Sequence, residues 1–183
     1  MIESKISSVQ LTSVDPSSQT VSRSGRRYSR SLMRQYWRVS VTWVKMKNRE
    51  AQALYAKLVS MQGMHGESVL SLPLVGEHPA LSGTIAVDGV AMAGESKITI
   101  NGFEGAFSVG GVFNFSGHNK LYMVVEHQGG LLTFAPPLRK AVNNDTINYA
   151  APTIKLHRTK EDMGWKQDRV NSQLTDEFEE VLE

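Results

Sequence analysis

The sequence predicts a mainly β, α+β fold: a β-sheet unit with one short amphipathic helix, interrupted by an inserted small β-barrel or sandwich module. Three observations predict it. The stretch MRQYWRVSVTWV alternates apolar and polar positions, the period of a half-buried strand. NREAQALYAKLV, shortly after it, repeats apolar residues at i, i+3, i+4 and i+7, the period of one helix face. From Val75 to Ala150 the chain turns glycine-rich and breaks into short β segments between turn dipeptides, which argues for a barrel or sandwich.

Taken in order, Lys5 to Ser13 alternates weakly and reads as a first strand. DPSSQTVSRSGRRYSRS is polar, with Gly25 as turn former, and reads as a loop or exposed hairpin. In the next strand Met33, Trp37, Val39, Val41 and Trp43 share one face, and Arg34, Tyr36, Arg38, Ser40 and Thr42 the other. Trp37 and Trp43 are expected to be core anchors against the helix face carrying Leu54 and Leu58. Asn48 is placed to cap the helix, whose apolar face is Ala51, Leu54, Tyr55, Leu58 and Val59. Gly63 and Gly66 bracket the exit, and ESVLSLPL resumes as a strand.

Inside the module the predicted strands are TIAVDG, SKITING, VFNFSG, KLYMVVE, LLTFAPPL and TINYA. Asp88-Gly89, Asn101-Gly102, Gly110-Gly111 and Gly129-Gly130 mark turns between them. APTIKLHRT alternates Ile154 and Leu156 with Lys155 and His157 and reads as one more strand. From Glu161 the chain is polar, with a terminal helix predicted over TDEFEEVLE. The organisation that follows is an α+β unit of 1–74 plus 151–160, an inserted β module at 75–150, and a polar C-terminal tail at 161–183. Insertions enter at surface loops, where the host's cut ends lie close together.

Composition narrows the function. Hydrophobic residues make up 40% of the 183, enough for a core, and no apolar run approaches the ~20 residues that span a bilayer. The start MIESKISSVQ lacks the charged and apolar regions of a signal peptide, so synthesis in a cytoplasm is expected. Without cysteine there is no disulfide, thiolate nucleophile or cysteine metal site. His65, His78, His118, His127 and His157 show no helical ligand spacing, and no metal or other cofactor is expected. No G-x-S-x-G elbow occurs, GFEGAFSVGG lacks the G-K-[ST] ending of a phosphate loop, and Glu95 and Glu104 have no distinguishing spacing. No catalytic residue is assigned, and the expectation is a protein that is not an enzyme.

Charge is the strongest remaining signal. The net charge of +2 hides an acid-free stretch, Pro16–Arg49, holding Arg23, Arg26, Arg27 and Arg30, and an acidic end with Asp168, Asp176, Glu177, Glu179, Glu180 and Glu183. Separated blocks of opposite sign suggest a macromolecular contact, including one between copies of the chain. The acidic tail of one copy is expected to reach the arginine-rich loop of the next, with the monomer's fold independent of that tail. Arg139, after two prolines, has a restrained backbone suited to meeting a carboxylate. Nucleic acid is the weaker alternative partner: an arginine cluster with Tyr28 and Tyr36 suits phosphate, but Trp37 lies on the apolar face and no recognised motif is present.

GFEGAFSVGGVFNFSGHNKLYMVVEHQGGLLTFAPPLRKAVNNDTINY resembles a β module of tailed-bacteriophage structural proteins. Gly111, Phe113, Phe115, Gly117, Leu121, Tyr122, Val124, Leu132, Phe134, Pro136, Pro137, Leu138, Arg139 and Tyr149 carry the likeness. Gly110-Gly111 replaces the commoner Gly-Asp, and the Gln128-Gly129-Gly130 hairpin is shorter than usual. YWRVSVTWVKMKNREAQALYAKLVSMQG and SVLSLPL are similar to the N-terminal part of distal tail or tail-tip (baseplate) proteins. The resemblance implies a virion structural protein without catalysis, forming a ring, most simply a homohexamer, at the distal end of a phage tail. Its implied partners are further copies of itself, the tail tube and the tail-tip hub, with no membrane. A head-tail connector or decoration protein is the alternative structural role. The charge blocks then nominate Arg23, Arg26, Arg27, Arg30, Arg139, Asp176, Glu177, Glu179 and Glu180 as subunit-contact residues.

Overall fold

The computed structural model describes residues 5–32, 34–72, 75–166 and 169–182. Met33, Pro73 and Leu74 of the predicted strands, and Asp168 and Glu183 of the acidic block, lie outside those residues. In chain order the first elements are β1 (Ile6–Val14), β2 (Ser17–Val21), β3 (Arg27–Ser31), β4 (Tyr36–Trp43), β5 (Met46–Lys47), helix α1 (Asn48–Val59) and β6 (Glu67–Ser71). Short strands follow: β7 (Ala86–Val87), β8 (Val90–Ala91), β9 (Lys97–Asn101), β10 (Val112–Phe115), β11 (Tyr122–Gln128), β12 (Leu131–Ala135), β13 (Val142–Asn143) and β14 (Ile147–Asn148). The last are β15 (Thr153–Arg158), β16 (Asn171–Ser172) and β17 (Thr175–Glu180). The fold is mainly β, as predicted, with a single helix among the described residues.

One sheet is five-stranded and antiparallel, in the order β1-β4-β17-β15-β6. β4 behaves as its alternation requires. Trp37, Val39, Val41 and Trp43 are buried, while Arg38 on the opposite face is exposed. The buried face meets α1, which contributes Ala51 and Leu58, with Leu54 and Tyr55 partly buried against the same core. The helix face is narrower than predicted, because Val59 is left 47% exposed. Asn48 is the first helical residue rather than the cap. Lys47 takes the N-cap position without a side-chain hydrogen bond, and Asn48 Oδ1 instead accepts from the Ser172 hydroxyl at 2.7 Å.

The inserted module is a six-stranded sheet in the order β14-β10-β11-β12-β9-β7. A bridge between Ala86 and Thr146 brings its two ends together, so the sheet is a nearly closed barrel. Its centre is aromatic. Phe113, Phe115, Tyr122 and Phe134 meet at ring-centroid distances of 5.2–6.0 Å, mostly edge to face, the geometry that ring quadrupoles favour. All four residues of β10 are buried because the strand lies between two cores. Phe113 and Phe115 face the barrel, Val112 belongs to the core of the five-stranded sheet, and Asn114 donates to the His118 carbonyl.

His78 seals the barrel near this strand. Its Nε2–H donates to the Val112 carbonyl at 3.1 Å, and its Nδ1 accepts from the Ser108 amide at 3.2 Å. The imidazole lies against Gly111, where any Cβ would overlap the ring. Burial holds its pKa below the usual histidine value.

The C-terminal segment overturns an expectation. TDEFEEVLE forms no helix and no solvated tail. Residues 175–180 are β17, the middle strand of the five-stranded sheet, paired with β4 on one side and β15 on the other. Leu174 and Phe178 are buried in that sheet's core, and Met163 and Trp165 pack against it. Three side chains of β17 point inward, Asp176, Phe178 and Glu180, and two of them are acids. The physical reason a charged segment can be central is that both inward carboxylates meet buried cations.

Candidate functional site

The nine nominated residues fall into three structural places: the β2–β3 hairpin, strand β17, and Arg139 in the segment after β12. Arg23, Arg26, Arg27 and Arg30 lie together on the β2–β3 hairpin. Every residue of both strands is exposed. The hairpin forms because Gly25, at φ +78°, takes the left-handed turn that a Cβ would oppose. Around it the Ser22 amide donates to the Arg26 carbonyl and the Gly25 amide to the Ser22 carbonyl, both at 2.9 Å. The Ser22 hydroxyl accepts from the Arg26 amide at 3.1 Å. At the base the Leu32 amide donates to the Pro16 carbonyl at 3.0 Å.

The ladder pairs Ser18 with Arg30, Thr20 with Tyr28, and Val21 with Arg27. Paired residues share a face, so Tyr28 and Arg30 lie on one face and Arg27 on the other, with Arg23 and Arg26 at the turn. Tyr28 is 57% and Val21 60% exposed. Among the described residues no carboxylate comes within ion-pair reach of these four arginines.

The acidic candidates have cationic partners inside the chain, and they lie on the central strand β17 rather than on a solvated tail. Asp176 is buried and accepts from Arg158 Nε at 2.6 Å, and the other end of that guanidinium donates to the Asp162 carbonyl at 2.8 Å. Glu179 pairs with Arg38 at 2.6 Å and Glu177 with Lys160 at 3.1 Å. Glu180 is 2% exposed and pairs with Lys120 of the barrel module. Asp176 and Glu180 are therefore committed inside the fold, while Glu177 and Glu179 sit in partly exposed surface pairs.

Glu180 sits at the joint between sheet and barrel. It receives the Lys120 ammonium, the Trp37 amide at 3.1 Å and the Leu121 amide at 3.4 Å. Lys120 also donates to Gln35 Oε1 at 2.7 Å and to the Gln35 carbonyl at 3.3 Å. Arg139 donates to that same carbonyl, and the indole N–H of Trp37 donates to the Leu121 carbonyl at 2.8 Å. Gln35 in turn reaches Ser13 at 3.0 Å, which ties the joint to the base of the hairpin.

Desolvation dominates the electrostatics of the joint. It pulls the Lys120 ammonium down to about 8 against the opposing attraction of Glu180, and it raises Glu180 above the carboxylate range. Burial also pushes the Tyr122 hydroxyl up to about 12. Over the joint lies a small open cleft lined by His118, Asn119, Lys120, Arg139, Lys140, Glu180 and Val181. Arg139 is therefore half-buried and committed on one side to Gln35, rather than standing free on a loop.

Among the described residues no group of three or more His, Asp or Glu side chains could hold a metal ion. No described helix is long and apolar enough to cross a membrane. Compared with known protein families and with curated proteins, the chain gives no match. Sequence reasoning missed Gln35, Lys120 and Arg158. The signal that could have found them is the need of two inward-facing acids in a strand for buried cationic partners.

Proposed function

We propose that the chain is a structural protein of a bacteriophage tail, forming a ring, most simply a hexamer, at the distal end and joining the tail tube to tip components. The observation that carries the reading is the pair of open edges on the five-stranded sheet. Among the described residues β1 bonds only to β4 and β6 only to β15, so a row of backbone donors and acceptors is left at each side. Two different edges on one molecule suit a heterologous contact, and such contacts close into a ring when the rotation allows it. The barrel standing off that sheet on a hydrogen-bonded joint supports the same reading, since a ring component must present a second surface at a fixed angle. The resemblance in GFEGAFSVGGVFNFSGHNKLYMVVEHQGGLLTFAPPLRKAVNNDTINY points the same way. Electron microscopy and native mass measurement of the purified protein test the ring, with six-fold particles expected. Mass spectrometry of purified virions tests the setting, and absence of the protein from them ends the tail reading.

A further inference from the structure

We propose that the β2–β3 hairpin is a nucleic-acid contact that enters a duplex groove and grips phosphates on both walls. The inference stands apart from the tail reading and does not need it. It starts from the charge the chain fails to neutralise. The acid-free stretch leaves Arg23, Arg26, Arg27 and Arg30 without a carboxylate among the described residues, while the acids of β17 are paired with Arg158, Lys160, Arg38 and Lys120. With the acids of β17 already matched to cations of their own chain, a dense external polyanion is the better complement to four clustered arginines.

The distribution of cations on the hairpin selects the shape of that polyanion. Arg30 and Tyr28 occupy one face, Arg27 the opposite one, and Arg23 and Arg26 the turn. A hairpin lying on a flat acidic protein surface would use cations on one face only. One inserted between two anionic walls uses both faces and the tip. Two strands ~4.8 Å apart and five residues long, about 17 Å, fit a major groove ~12 Å wide that admits a two-stranded ribbon. The hydroxyls of Ser18, Thr20 and Ser29 supply further donors to phosphate, and Tyr28 supplies a ring able to stack or to donate its O–H. The aromatic that argued against nucleic acid, Trp37, is buried at 4% exposure, but Tyr28 among the arginines is not.

The test is fluorescence anisotropy of the full chain with a labelled 20-base-pair DNA duplex, across 50 to 200 mM salt. With three to four phosphates contacted, log affinity should fall against log salt with a slope of roughly −3 to −4, about 100-fold over that range. The triple variant Arg26→Ser, Arg27→Ser, Arg30→Ser should lose most of the binding and flatten the slope by about 3. All three side chains are solvent-exposed, and an unchanged melting curve verifies that the variant folds. Polyglutamate matched in charge to the duplex should bind at least tenfold more weakly. Three results overturn the proposal: no duplex binding at 50 mM salt, binding that survives the triple substitution, or polyglutamate bound as tightly as DNA.

Discussion

The joint between sheet and barrel can be broken at one atom group, and the size of the effect follows from its partners. Glu180→Ala removes the acceptor of Lys120, of the Trp37 amide and of the Leu121 amide. It leaves a buried ammonium without its counter-charge and two buried N–H groups without their acceptor. Removing one member of a buried pair costs about 3–5 kcal/mol, and each orphaned N–H adds ~1–3 kcal/mol if nothing relaxes. Relaxation makes these terms overlap, so a loss of about 4 kcal/mol is expected. With a urea dependence near 2 kcal/mol per molar, the unfolding midpoint falls by about 2 M. Indole fluorescence reads this directly, because Trp37 donates to Leu121 inside the joint. The paired variant Lys120→Met with Glu180→Gln removes both charges and keeps an amide oxygen for the backbone donors. It should recover to within about 1 kcal/mol of the parent, since a neutral replacement avoids the desolvation of both ions. If Glu180→Ala unfolds at the parent's midpoint, or the paired variant is as unstable as the single one, the joint is not held by this network.

Trp43→Ala should cost about 3–5 kcal/mol, measured by chemical denaturation, because the side chain is fully buried against α1 and the sheet. Truncation before Thr175 should abolish the cooperative unfolding of the five-stranded sheet, read by indole fluorescence because Trp37, Trp43 and Trp165 lie in or against its core; an unchanged transition would contradict the central place of β17. Stability should decline above pH 10. Tyr122 has its folded pKa raised to about 12, so its contribution is complete below pH 10 and is lost as pH rises toward 12, at up to ~1.4 kcal/mol per pH unit. Tyr122→Phe should flatten that alkaline limb of the melting temperature against pH. Stability should also fall below about pH 6.5, where the unfolded chain takes up a proton that His78, with its depressed pKa, refuses; His78→Gln should remove that acid limb.

What the sequence made legible was whatever it encodes locally. β4 follows from alternation within one stretch, α1 from its apolar period, and the exposed hairpin from polar residues around Gly25. The module's strands were legible because turn glycines punctuate them. β17 was not, because its inward positions are acids whose partners lie 18 residues away at Arg158 and 60 residues away at Lys120. Read alone, TDEFEEVLE has the composition of a solvated end. The arginines of the hairpin stood out by the absence of nearby acids. The joint did not, because Gln35, Lys120, Arg139 and Glu180 come from four separate segments and look ordinary in each.

The position of β17 also sets the order in which this sheet can be built. The barrel is made from one continuous stretch of chain, so it can close as soon as that stretch is synthesised. The five-stranded sheet cannot. β1 and β4 form one early pair, and β6 waits for β15, but the two pairs have no bond to each other until β17 arrives after every other strand. Until then β4 and β15 each carry an open edge beside an apolar face that includes Val39, Val41, Ile154 and Leu156, the condition under which nascent sheets aggregate. The two acids on β17 keep the final strand itself soluble while it is unpaired, and Arg158 and Lys120 are already in place to receive them. Its insertion at once completes the sheet and, through Glu180, fixes the finished barrel to it.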